Sequence, residues 1–168
     1  MNKVVENALN EQVRKEAESS QLYLSMAVWA EVQGLGGISE FLYKSSDEER
    51  SHMLKLIKFI NERGGVAIIS ALNAPLHDFD SIEGVFSKLL NHEVMITNSI
   101  NELVHICLQE KDYTTHNFIQ WYVSEQLEEE ALARAIMDKI KMIGSDKGGL
   151  YLFDRDINQI QIDNSPKD

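Results

Sequence analysis

Four stretches of this chain carry apolar residues at alternating steps of three and four, the spacing that lines one face of an α-helix, and each stripe is broken near its middle by polar residues. The first runs Leu9, Val13, Glu16, Ser20, Tyr23, Ala27, Ala30 and the second Leu42, Ser45, Glu49, His52, Leu56, Phe59. The third runs Phe86, Leu89, Glu93, Ile96, Ile100, Leu103, Cys107 and the fourth Ile119, Tyr122, Gln126, Glu129, Ala133, Ile136, Ile140. The acids therefore point where Leu and Ile point, into the core of an all-α bundle.

An ionised carboxylate in a low-dielectric core loses several kcal/mol even after relaxation, and four together rival the roughly 5–15 kcal/mol net stability of a domain. No Lys or Arg stands in any of the four stripes, although Arg50 flanks one of them. A bound cation is the compensation this pattern implies.

The same residues fall at one level of a folded bundle. A turn at Gly34-Leu35-Gly36-Gly37 lies midway between Glu16 and the Glu49/His52 pair, and the polar break 109–112 lies midway between Glu93 and the Gln126/Glu129 pair. An offset of 77 residues carries Glu16, Glu49 and His52 onto Glu93, Gln126 and Glu129. Two similar helical hairpins would thus enclose a pseudo-symmetric cage for two ions. The expected helices are 3–33, 39–63 with Ser39 as N-cap and Gly64-Gly65 as stop, 81–109, 113–143 and a short fifth at 150–159. Residues 66–80 lack periodicity, and about fifteen extended residues at ~3.3 Å each suffice to carry the chain back along a long helix. That predicts one long crossover between the hairpins. Leu150, Tyr151, Leu152, Phe153 and Ile157 on the fifth helix would be exposed in a monomer and predict an assembly element. Residues 1–160 are expected to form one domain, with 161–168 a flexible tail.

A formal charge of −11 argues against nucleic-acid or anionic-membrane partners and suits a cationic one. Cys107 is the single cysteine, which excludes an internal disulfide, a Cys-x-x-Cys redox pair and a thiolate cluster. The first ten residues lack a secretory core and no apolar run approaches ~20 residues, so cytoplasm is the expected location.

The segments Lys15-Glu16-Ala17-Glu18-Ser19-Ser20-Gln21-Leu22-Tyr23, Glu48-Glu49-Arg50-Ser51-His52, Asn91-His92-Glu93 and 121–130 together resemble a bacterial non-haem ferritin across residues 1–160. The resemblance implies a ferritin-like four-helix bundle with one long crossover and a short fifth helix. It implies a di-iron centre in which Glu16, Glu49 and His52 hold one iron and Glu49, Glu93 and Glu129 the other, with Glu49 bridging. Carboxylate oxygens with one imidazole suit Fe(II), Fe(III) or Mn(II) better than thiolate-rich structural zinc sites do. The implied activity is a ferroxidase that oxidises Fe(II) with O2 or hydrogen peroxide and stores Fe(III) as a ferric oxyhydroxide mineral in a hollow shell of twenty-four subunits. Gln126 resembles a weak or outlying ligand, Tyr23 the family's site tyrosine, and Trp121 a residue that assists or simply packs. Glu48, Glu125 and Glu128 resemble a third iron site shared with Glu129.

Haem is disfavoured because Arg50 stands where bacterioferritin carries its ligating methionine, and the second pair is Gln126/Glu129 rather than Glu-x-x-His. One cysteine cannot build the rubredoxin module of a rubrerythrin. Mini-ferritins lack the fifth helix and place their iron between subunits. A different class of reading is a catalytically silent shell subunit that co-assembles with an active partner, against which the intact ligand set argues. Cys107 reads as a buried small residue, and His77, His92, His105 and His116 as structural or surface residues.

Overall fold

Alternating apolar spacing is realised as helix throughout the computed structural model, which describes residues 1–160. The helices are α1 (Lys3–Val32), α2 (Gly36–Glu62), α3 (Ile82–Gln109), α4 (Tyr113–Ile143) and α5 (Lys147–Asp156), followed by a 3-10 turn at Ile157–Gln159. Among the described residues there is no strand, and no helix is long and apolar enough to cross a membrane. The tail expected at 161–168 lies outside the described residues.

Local side chains set most boundaries. Orphan amides at a helix start need acceptors. Asn2 caps α1 through Val4 N (2.8 Å), Ser81 caps α3 through Gly84 N (3.0 Å), and Asp112 caps α4 through Thr115 N (3.0 Å). Asp146 takes the amides of Gly148 and Gly149 (3.1 and 3.0 Å), so α5 begins three residues before the expected Leu150.

The start of α2 departs from expectation. Ser39 does not cap; it lies buried inside the helix, with its amide bonded to the Leu35 carbonyl at 2.9 Å. Gly34 turns the chain at φ 76°, and α2 starts at Gly36 without a side-chain cap of its own. The missing acceptor comes from α5, because the Ile38 amide donates to Asp154 Oδ1 at 2.9 Å. Gly37 allows this approach: a Cβ there would stand 1.7 Å from the Asp154 carbonyl oxygen.

Helix α1 packs on α2 and on α3, and α3 packs on α4. Lys15 meets Ser99 and Ser19 meets His92, so α1 and α3 run antiparallel. Phe59 stacks on Phe118 (3.7 Å, 5°) while the Tyr122 hydroxyl reaches the His52 carbonyl (2.7 Å), so α2 and α4 also run antiparallel. Hence α2 and α3 point the same way, and residues 64–81 must return the chain along the bundle. They do so against α1. The Asn10 side chain bonds Val66 O (3.0 Å) and Ile68 N (2.7 Å), Ser25 bonds Leu76 O (2.7 Å), and Trp29 meets Phe79 edge-on at 5.9 Å.

The core is divided in two. One apolar cluster includes Met26, Ile38, Leu42, Phe86 and Ile136, and the other Val5, Leu9, Leu56, Ile100 and Ile119. Between them lies a polar layer that includes Glu16, Glu49, His52, Glu93 and Gln126, all buried. The expectation for the fifth helix requires correction. Phe153 and Ile157 are buried within the subunit, Phe153 meeting Phe86 edge-on at 6.3 Å, because α5 folds back over the α2 end of the bundle. Tyr151 and Leu152 remain exposed.

Candidate metal centre

The ligand-type side chains of the polar layer come from all four long helices, and three of them converge. One ligand atom from each of Glu16, Glu49 and His52 lies within 4.8 Å of the other two, and all three residues are buried. His52 Nδ1 stands 3.7 Å from Glu49 Oε2. On the opposite side Glu93 Oε1 accepts a hydrogen bond from the Tyr23 hydroxyl, and Glu93 Oε2 accepts one from Gln126 Nε2 at 3.1 Å. Glu93, Glu129 and Tyr23 share a small cavity of about 10 Å³, floored by Leu89 and Ile136. That is room for roughly one water-sized occupant.

Electrostatics separates this layer from an ordinary polar core. Burial pushes the Glu16 and Glu49 carboxyls well above their usual range, and each is raised further by a neighbour: Glu16 by Glu49, and Glu49 by Glu93 and Glu129. Glu129 is raised to about 8, first by burial and then by Glu93 and Glu48. Glu93 is raised by burial, with the Tyr23 and Gln126 hydrogen bonds acting against the rise. Desolvation also pushes up the Tyr23 hydroxyl beside Glu93. Among the described residues no Lys or Arg forms an ion pair with any of these four carboxylates. The layer is short of positive charge, which a divalent cation would supply while satisfying the oxygen lone pairs.

Every site residue expected from sequence can now be placed. Glu49 converges with Glu16 and His52 and feels the charges of Glu93 and Glu129, which do not join that three-residue group. Gln126 directs its amide N–H to the Glu93 carboxylate and to Glu93 O and Thr97 Oγ1, both at 3.3 Å. Glu48 and Glu128 are exposed and Glu125 is half-buried. Both Glu48 and Glu125 act on Glu129, whereas Glu125 also faces Lys55. Arg50 is exposed and forms no ion pair with the layer. Cys107 is buried and free.

Three supporting contacts were not visible as motifs. Gln12, only 1% exposed, donates to Glu16 Oε1 at 2.8 Å; its signal was the four-residue step to Glu16. Lys55 sits 3.1 Å above the Trp121 ring, and Trp121 meets His52 edge-on at 5.2 Å, so the tryptophan fixes the imidazole between two helices. His92 bonds Ser19 Oγ at 2.8 Å and packs edge-on to Tyr23 at 5.8 Å.

A bundle of two antiparallel hairpins joined by a crossover, with inward carboxylates and a Glu-x-x-His pair at mid-height, defines the ferritin-like class of four-helix proteins. The family model for the ferritin-like domain matches residues 6–143, and the chain belongs to the ferritin family. It is similar to the bacterial non-heme ferritin of Campylobacter jejuni, 46% identical over 162 residues that span 96% of this chain and 97% of that protein. It is also similar to the bacterial non-heme ferritin of Escherichia coli O157:H7, 37% identical over 93% of this chain and 94% of the relative. Among solved structures, an open-pore ferritin from the archaeon Archaeoglobus fulgidus superposes with a TM-score of 0.93 at 40% identity, covering 96% of this chain and 98% of the other.

Proposed function

We propose that the protein stores iron, taking up Fe(II), oxidising it at a paired site within each subunit, and holding the Fe(III) product as a ferric oxyhydroxide mineral inside a homo-oligomeric shell of twenty-four copies in the cytoplasm. The observation that carries this reading is the convergence of Glu16, Glu49 and His52 in the buried middle of the bundle, beside Glu93 and Glu129, with no Lys or Arg paired to them among the described residues. The family's membership and the non-heme ferritin relatives support it.

Iron enters this scheme as substrate. Glu16, Glu49 and His52 bind one Fe(II), and Glu49, Glu93 and Glu129 bind the second, with Glu49 shared. The pair gives two electrons, one from each iron, to O2, which takes up two protons and leaves as hydrogen peroxide; with hydrogen peroxide as oxidant the same two electrons and two protons yield two waters. Anionic oxygens stabilise Fe(III) more than Fe(II), so the carboxylates favour the oxidised product. Tyr23, hydrogen-bonded to Glu93, orients that ligand. Gln126 holds Glu93 by its amide rather than by its oxygen. Glu48, Glu125 and Glu128 with Glu129 form an outer acidic site that receives iron on its way to the cavity. No residue is assigned to haem.

Aerobic addition of Fe(II) with the ferric absorbance followed over time tests the reading. Wild-type protein should outpace buffer autoxidation, and Glu49→Ala and His52→Ala variants that assemble normally should not. A wild type no faster than these variants would reduce the chain to a shell component.

A further inference from the structure

One hydrogen-bond chain links the surface of α1 to a carboxylate of the metal layer. Lys15 Nζ donates to Ser99 Oγ at 2.6 Å, Ser99 Oγ donates to Gln12 Oε1 at 2.6 Å, and Gln12 Nε2 donates to Glu16 Oε1 at 2.8 Å. Its direction is fixed by chemistry. A lysine ammonium has donors only, so Ser99 must accept from it and spend its single proton elsewhere. That proton goes to Gln12 Oε1, which leaves the Gln12 amide hydrogens facing Glu16. A lone glutamine could present either end of its amide; here the lysine at the far end decides. The Glu16 end of the chain is a donor, and it works against the burial that disfavours the ionised carboxylate, the form that binds a cation.

Gln12 and Glu16 are both buried and lie one turn apart on α1, whereas Ser99 comes from α3. The chain therefore couples the packing of two helices to the orientation of one carboxylate oxygen. Gln12 thus holds one oxygen of a carboxylate that also converges with Glu49 and His52. Glu93 receives an amide from Gln126 in the same manner, but Gln126 has no comparable lysine-anchored chain among its hydrogen bonds.

We infer that Gln12, Ser99 and Lys15 act as positioning residues that orient Glu16 for the first metal, through a one-way hydrogen-bond chain starting at the half-buried Lys15. The inference rests on the proposed metal-binding function. Groups that orient metal ligands typically change affinity or activity by about 10–100-fold when removed.

The test is a Co(II) titration of the assembled protein, followed by calorimetry and by the visible absorption of the bound ion, with Fe(II) oxidation kinetics alongside. Gln12→Leu should weaken binding at the Glu16 site by about 10-fold or more and raise KM for Fe(II) more than it lowers kcat. Ser99→Ala and Lys15→Met should each weaken it less, and Ser99→Thr, which keeps the hydroxyl, should bind within about twofold of wild type. A merely structural bond between α1 and α3 would lower the melting temperature of these variants and leave Co(II) affinity unchanged, which overturns the inference. If Gln12→Leu fails to assemble, the Ser99→Ala and Ser99→Thr pair decides: equal Co(II) affinities refute the chain, and loss in Ala with recovery in Thr supports it. Wild type and Glu16→Ala separate this from the function itself. If wild-type protein shows no Glu16-dependent Co(II) site, the metal-binding reading and the inference fall together; if it does and Gln12→Leu matches it, only the inference falls.

Discussion

Replacing Glu129 with glutamine should stabilise the metal-free protein, and more so at pH 7.5 than at pH 5. Burial together with Glu93 and Glu48 raises the Glu129 carboxyl from its ordinary 4.5 to about 8 in the folded state. The folded protein therefore keeps a proton that the unfolded chain has already released between those two values. Stability contributed by this group is greatest at low pH and falls as pH rises from 4.5 to 8. Linkage puts the loss at about 1 kcal/mol at pH 5 and about 4 kcal/mol at pH 7.5, a difference of about 3 kcal/mol. Glutamine has the same shape and no charge at either pH, so it removes that slope. At about 2–4 °C per kcal/mol for a chain of this length, Glu129→Gln should gain about 6–12 °C more over wild type at pH 7.5 than at pH 5. Because Glu129 keeps partial contact with water, this is a ceiling, and half of it is already decisive. The assay is thermal unfolding with a chelator present, at fixed protein concentration and confirmed assembly state. Added Co(II) should reverse the order at pH 7.5, since the cation compensates the ionised carboxylate only in wild type. Equal gains at the two pH values would refute the account of an uncompensated acidic layer.

Gly37→Ala should push α5 off α2, because the new methyl meets the Asp154 carbonyl; the expected cost is about 1–3 kcal/mol, with faster hydrogen exchange across 147–160 measured by mass spectrometry. Phe153→Ala should cost about 3–5 kcal/mol in the subunit's own melting, whereas Tyr151→Ala, at a residue 70% exposed, should stay within about 0.5 kcal/mol. Asp112 caps α4 and holds Arg63 through two 2.9 Å bonds. Its replacement by alanine should cost about 3 kcal/mol by urea unfolding, and asparagine, which keeps the cap, should recover about a third of that.

The buried polar layer was legible because its residues obey helical spacing while violating core polarity: Glu16, Glu49, His52, Glu93 and Gln126 are buried on the stripes where Leu and Ile would stand. The fourth helix was legible to the residue, since Asp112 caps it locally and Gly144 ends it with a positive φ. The start of α2 was not. Ser39 looked like a cap, yet the acceptor for that helix end is Asp154, 116 residues along the chain from Ile38. Likewise Gln12 lies beside the stripe rather than in it, and its importance depends on Ser99 of α3.

Periodicity, the two turn segments and the internal offset of 77 residues determined an all-α bundle with inward acids at one height, because these are relations between neighbours in sequence that any helix must express. Tertiary structure alone decided which oxygen of each carboxylate faces its neighbours, which amides hold them there, and which face of α5 is buried. Those choices depend on distances of a few ångströms between residues far apart in the chain, and spacing along a single helix carries no record of them.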